Sequence, residues 1–370
     1  MIEVSEVREL AVFRGDPIVT SLYVDVDGRR YPRPSDVDPR IDHLVRLART
    51  QAEPLGKEVA NAVEADLLRI REWLAAGIDR RVTRGLAAFS CNAQNFFRTF
   101  ELPVSVHDHV GVSPAPDVAG LCKVLASDEH ALVVVTDRHR SRLLRLDPGE
   151  THELEGPVDK PARQVDTDVE LGSFERHHEE AARRHLSNVA RAVLDELKER
   201  PVERIVLGGP ADIVGQLRGE LPRGVREHVT GTIKVAVNAP VSQVAGAAID
   251  VVRHERHRRQ AALVEEVRGR AQQGAGAVSG LTATLGVLRA GRVGVLLVSR
   301  DLEASGGRCP GCMQLVADGL RCPVCGERPI VVDDVVAPAI AQACAQRAEV
   351  EFCEPAALDA MGGIGAIERY

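Results

Sequence analysis

Four of the eight cysteines stand in one stretch, CPGCMQLVADGLRCPVCG, as Cys309, Cys312, Cys322 and Cys325. Each Cys-x-x-Cys pair puts two thiolates on one tight turn. Two such turns facing each other offer a tetrahedral four-sulfur set, the geometry that suits zinc. Pro310, Gly311, Pro323 and Gly326 are residues that such turns favour. All four ligands would come from protein, so the site would be closed: a structural Zn2+ with no open position to activate a water. The competing reading is four reduced thiols without metal. The start of the chain, MIEVSEVREL, shows no basic stretch followed by an apolar one, so no secretory signal is visible, and in such a chain clustered cysteines favour metal over disulfides. Cys91, Cys122, Cys344 and Cys353 lie among apolar residues and read as core packing.

A second stretch, DTDVELGSFERHHEE at 166–180, looks like a polar loop feeding a helix. His177, His178 and His185 follow closely, but the zinc-protease spacing HExxH needs a histidine where Ala182 stands, so a solvated helix face is the better reading. Arg176, Arg183 and Arg184 on the same helix are of a type that meets phosphates. The basic run RHERHRR at 253–259 reads as the face of a solvated interdomain helix, with an RNA-backbone contact as the minor alternative. VLGGPADI has a Gly-Gly after a strand, but neither the GxxxxGK[ST] nor the GxGxxG spacing of nucleotide sites. No Ser/His/Asp set declares itself by spacing.

The elements that must hold these residues follow from periodicity. PIVTSLYVDVDG alternates as a strand, IDHLVRLARTQAEPLGKEVANAVEADLLRIREWLAAG has the spacing of one or two amphipathic helices, and RGLAAFSCN and FFRTFELPV read as strands. HALVVVTDRHRSRLLRLDPGE reads as two strands with a short polar turn. FERHHEEAARRHLSNVARAVLDELKER reads as a long helix with Leu186, Val189, Ala190, Val193 and Leu197 on one stripe. A strand and a Gly-Gly-Pro turn into a helix follow in IVLGGPADIVGQL, then a strand in GTIKVAVNAP, and the alternation indicates α/β layers. The helical stretch from about Val241 is charged nearly throughout, which predicts a solvent-exposed connector over 250–273. A helix, turn and strand in AVSGLTATLGVLRAGRVGVLLVSRD then lead into the cysteine cluster.

Length and composition set the outer limits. A chain of 370 residues predicts two or three domains. Its 44% apolar and 27% charged residues are those of a globular protein. A net charge of -7 argues against a dedicated nucleic-acid binder with an overall positive field, and aromatics at 3%, with Trp73 the one tryptophan, argue against base stacking on rings. No apolar run is long enough to span a membrane, and the expected location is cytoplasmic.

At this point the residues resemble a known family. FERHHEEAARRHLSNVA followed by IVLGGPADI is similar to the central domain of the archaeal and eukaryotic class-I release factors and their relative Pelota. VSGLTATLGVLRAGRVGVLLVS looks like the start of that family's third domain, the paired Cys-x-x-Cys sits where archaeal release factors carry a zinc ribbon, and GGIGAIERY is similar to the family's C-terminal GGI-AILRY. The N-terminal part looks more like bacterial members of the superfamily. The resemblance implies an α/β protein of three domains: an N-terminal α/β domain at 1–128, a ribonuclease-H-like central domain at 129–250 that mimics a tRNA acceptor, and an L30e/L7Ae-like third domain at 251–370 with its ribbon at 306–328.

The departures bear on activity. Aligning the family's Phe-Glu-Arg with Phe174, Glu175 and Arg176 puts Thr167, Asp168 and Val169 where the hydrolytic Gly-Gly-Gln should stand. Gln164 lies earlier without a glycine pair, Asp166 and Asp168 suit a tRNA end poorly, and the stop-codon signature Asn-Ile-Lys-Ser is missing from 1–128. The resemblance therefore implies a non-enzymatic factor in the ribosomal A site, touching rRNA or tRNA through Gln164, Asp166, Thr167, Asp168, Val169, Arg176, Arg183 and Arg184. It would act in ribosome hibernation, as Balon-like factors do, or in rescue, as Pelota does. The candidate companion is an elongation-type GTPase; no membrane and no DNA are involved. Two alternatives stay open: a release factor or peptidyl-tRNA hydrolase using Gln164, and a zinc-ribbon adaptor with no ribosomal role.

Overall fold

The computed structural model describes residues 2–126, 130–147, 149–154, 171–318 and 321–369, without the side chains of residues 34 and 171–178. The chain forms two compact units. One joins Met1–Ala126 to Gln260–Tyr370, and the other is Ser127–Arg259.

The N-terminal part of the first unit runs α1 (Val4–Val12), β1 (Val19–Asp25), α2 (Asp38–Ala52), α3 (Lys57–Ala75), β2 (Gly85–Cys91), β3 (Phe96–Leu102), β4 (His109–Ser113) and α4 (Ala119–Leu125). The expected one or two helices are two, because Pro54 cannot donate the next helical hydrogen bond and Gly56 takes φ +100°. The strands form an antiparallel sheet in the order β3-β2-β1-β4. Side chains alternate across it. Leu22, Val24, Leu86 and Ala88 pack under α2 and α3, against Leu44, Val63, Leu67 and Ile70. Val19, Tyr23, Ala87 and Phe89 face the other way, into a core shared with the C-terminal part of the chain. Coverage on both faces is why every residue of β1 is buried.

The second unit holds β5 (Ala131–Thr136), β6 (Ser141–Asp147), β7 (Glu150–Leu154), α5 (Leu171–Glu199), β8 (Ile205–Gly208), α6 (Ala211–Glu220), α7 (Arg223–Glu227) and β9 (Val229–Ile233). The sheet order is β7-β6-β5-β8-β9. Strands β5, β6 and β7 pair antiparallel, while β5, β8 and β9 run parallel, as strands joined by helices must. On α5, Leu186, Val189, Ala190 and Val193 are buried against Leu132, Val134 and Leu207, with Leu197 partly buried beside them. Each large side chain on that stripe contributes about 1.5–3 kcal/mol of burial. Arg145 on β6 is buried yet paired, with Asp147 at 3.2 Å and Glu196 of α5 at 3.1 Å, so it ties helix to sheet. The Gly-Gly-Pro turn has a steric reason: Gly209 sits at φ +132°, where an added Cβ would lie 2.1 Å from the Thr136 carbonyl oxygen.

Helix α8 (Val241–Gln273) contains the expected connector, exposed at most of its charged positions over 250–273 but with a few residues buried. It is one continuous helix that serves both units. Val244, Ala245, Ala248 and Val252 are buried against the second unit's sheet. Beyond the boundary, Val264 and Val267 are buried in the first unit, and Gln260 Nε2 donates to the Phe352 carbonyl oxygen at 3.0 Å. Charge dominates the composition of this stretch, but the few apolar residues recur at helical spacing, and that spacing sets what is buried.

The rest of the first unit is β10 (Ala277–Ser279), α9 (Leu281–Arg289), β11 (Val293–Ser299), β12 (Gly306–Arg308), β13 (Leu315–Val316), β14 (Ile330–Val332), α10 (Val336–Ala345), β15 (Glu349–Cys353), α11 (Pro355–Leu358) and β16 (Ile364–Glu368). One sheet has the order β10-β16-β11-β15, with β11 and β15 parallel; a three-stranded sheet, β13-β12-β14, frames the cysteine cluster. The N-terminal and C-terminal parts share a core in which Val7 and Leu10 of α1 meet Ile340 and Ala343 of α10. The fold is mixed α/β with several sheets. Among the described residues, no helix is long and apolar enough to cross a membrane.

Candidate functional site

The four sulfurs of Cys309, Cys312, Cys322 and Cys325 lie within 4.8 Å of one another. The close pairs are Cys309–Cys325 at 3.2 Å, Cys312–Cys322 at 3.4 Å and Cys312–Cys325 at 3.7 Å. Zinc–sulfur bonds of about 2.3 Å place tetrahedral sulfurs about 3.8 Å apart, so the set has the size of a four-thiolate metal site. Cys309 and Cys322 are buried and Cys325 is exposed.

The two knuckles are built alike. In the first, the Met313 amide donates to the Cys309 carbonyl at 2.8 Å and the Cys309 amide to that of Gln314 at 2.9 Å. In the second, Gly326 donates to Cys322 at 2.9 Å and Cys322 to Glu327 at 2.8 Å. Backbone amides also turn toward the sulfurs. That of Cys325 foremost, with Val324 in support, lowers the Cys322 thiol to about 6 against the effect of burial. Cys325 goes the other way. The Glu327 amide favours its thiolate, but the neighbouring thiols of Cys309, Cys312 and Cys322 outweigh that and push it up to about 12. A metal entering this set would release protons, because ligating thiols must be thiolates.

Sequence spacing found all four cysteines but missed Met313. It is a non-glycine residue at φ +60°, and only the repeat of the Gly326 turn would have pointed to it.

The other site residues divide. Gln164, Asp166, Thr167, Asp168 and Val169 lie outside the described residues, as does the side chain of Arg176. Arg183 and Arg184 are exposed on α5. Arg183 Nε stands 3.8 Å from Glu220, and Arg184 Nε donates to the Glu180 carbonyl at 3.5 Å, both weak attachments for exposed cations. His185, one residue on, is buried, with Nε2 3.3 Å from Thr136 Oγ1, so it belongs to the core. The basic run at 253–259 is partly neutralised on its own helix: Arg253 pairs with Asp250, and Arg258 with Glu255.

With that geometry in place, comparison with known proteins is informative over the central region. Residues 116–253, which include β5 to β9 and α5 to α7, match the model of bacterial archaeo-eukaryotic release factor family 10. The resemblance read from the sequence finds support there: residues 116–253 are similar to a bacterial family of archaeo-eukaryotic release factors. Several solved structures are similar along much of the chain. An archaeal translation termination factor, aRF1, is 15% identical over 100% of this chain and 99% of its own, with a TM-score of 0.27. A model of ribosome-bound archaeal Pelota and ABCE1 is 16% identical over 74% and 72%, with a TM-score of 0.41. Dom34 of S. cerevisiae, a translation termination-like factor, is 11% identical over 76% and 75%, with a TM-score of 0.42. At such TM-scores these likenesses add no weight to the family match. No curated protein matches the chain.

Proposed function

We propose that this protein is a release-factor-like translation factor that occupies the ribosomal A site in hibernation or rescue and does not hydrolyse peptidyl-tRNA. The observation that carries this reading is a combination. The central region matches a release-factor family, yet no Gly-Gly-Gln occurs anywhere in the 370 residues. A scaffold kept without its hydrolytic tip suits a factor that fills or inspects a site. Residues 1–128, 129–250 and 251–370 would act as three domains, the last steadied by a structural zinc on Cys309, Cys312, Cys322 and Cys325. The exposed Arg183 and Arg184, with Arg176 and the 164–169 segment, would meet rRNA or tRNA, and an elongation-type GTPase would be the delivering partner.

The test is co-sedimentation of the purified chain with 70S ribosomes from growing and from stationary cells, beside a peptide-release assay on ribosomes carrying peptidyl-tRNA. Binding with release at background supports the reading. Release that Gln164→Ala abolishes while binding persists would replace it with a hydrolase, and absence of binding to any ribosome would remove it.

A further inference from the structure

The first unit holds a thiol pair that the proposed function does not use. Cys122 lies on α4 and Cys344 on α10, 222 residues apart in the chain, and their sulfurs stand 3.1 Å from each other. A disulfide needs about 2.05 Å, so the sulfurs would have to close by only about 1 Å. Both residues are buried but not sealed, at 7% and 8% exposure. We propose that Cys122 and Cys344 form an oxidisable dithiol, which a peroxide converts to a disulfide tying the N-terminal part of this unit to its C-terminal part.

The surroundings give the two sulfurs different roles. A hydrogen bond from Cys122 holds the Cys344 thiol below its ordinary range, with burial opposing and Arg8 of α1 assisting. Cys122 keeps its proton, held first by that same hydrogen bond and then by burial. Once deprotonated, the Cys344 sulfur attacks the peroxide. An S–O bond forms, the O–O bond breaks, and hydroxide leaves, giving a sulfenic acid. The Cys122 sulfur then attacks the sulfenic sulfur, the S–S bond forms, and the second oxygen departs as hydroxide. The two protons of the original thiols complete two waters. Two thiols and one hydrogen peroxide thus yield one disulfide and two waters. The pair is separate from the metal set, whose four sulfurs group only with one another. It also does not depend on the ribosomal reading.

The test uses the full chain with its metal. The folded protein is treated with hydrogen peroxide, free thiols are blocked with an alkylating reagent, and the chain is digested without reductant for mass spectrometry. The expected product is a linked pair of peptides bearing Cys122 and Cys344, lighter by two hydrogens and lost on adding dithiothreitol. C122A and C344A should each abolish it. Alanine in the core could loosen the fold, so the wild-type result decides. Full alkylation of both cysteines after peroxide, linkage of either to another cysteine, or oxidation of Cys344 to a sulfinic acid without linkage would each overturn the proposal.

Discussion

Met313 and Gly326 hold equivalent places in the two knuckles: each follows the first cysteine of its pair by four residues, and both have left-handed backbones, at φ +60° and +79°. A side chain in that region costs about 1–2 kcal/mol, which Gly326 avoids and Met313 bears. Gly326→Ala should therefore lower the stability of the first unit by about 1 kcal/mol, whereas Met313→Gly should cost nothing. Denaturant titration of the metal-loaded chain reads both, and equal losses would sink the idea that the turns are equivalent.

Elemental analysis of the purified chain should find about one zinc per molecule. Cys322→Ser, which removes a buried sulfur, should lose the metal and loosen the three-stranded sheet around it while the Ser127–Arg259 unit keeps its fold. Hydrogen exchange resolved by segment distinguishes this from global unfolding. Full protection of β12 to β14 in the variant would show that the fold stands without its staple.

Arg183 and Arg184 are exposed, so Arg183→Ala with Arg184→Ala should change stability by no more than about 0.5 kcal/mol. If they meet phosphates, binding to ribosomes should weaken, and the slope of log affinity against log salt should flatten by about one for each phosphate no longer neutralised. An unchanged slope would place the nucleic-acid interface elsewhere.

His109 Nε2 lies 2.8 Å from the Asp117 carboxylate. That hydrogen bond is the main cause raising the histidine's pKa; burial opposes it, and the charges of Asp117, Asp334 and Glu303 add to it. A pKa higher in the folded state than in the unfolded one means folding favours the protonated ring. The stabilising effect is therefore full below pH about 6.5 and is lost as pH rises through the folded-state value. His109→Gln should flatten stability across that window. NMR titration of the ring checks the direction, and a midpoint below 6.5 would contradict it.

Much of this was legible in the sequence wherever the signal is local. The paired cysteines are close in sequence, so spacing alone brought them together. The stripe on α5 and the hairpin of β5 and β6 follow from periodicity within a few turns or residues. What stayed hidden depends on distant partners. Cys122 and Cys344 each read as core, but nothing local says that they touch. His185 follows two exposed arginines on α5 yet is buried, with Thr136 of the distant strand β5 at 3.3 Å from its Nε2. The composition of the charged stretch of α8 does not tell that Val264 and Val267 are buried, because three later strands and a short helix supply their cover.

The shared core of the two chain ends also bears on how this protein is made. Val7 and Leu10 emerge from the ribosome more than 300 residues ahead of Ile340 and Ala343, which share their core. At about 5–20 residues per second, the first part of the chain must wait on the order of tens of seconds with that apolar face unfilled. The inserted Ser127–Arg259 unit, whose core needs nothing downstream of it, can fold during the interval. A message truncated before Ile340 would thus leave a nascent chain with a folded Ser127–Arg259 unit preceded by an uncovered, adhesive apolar face.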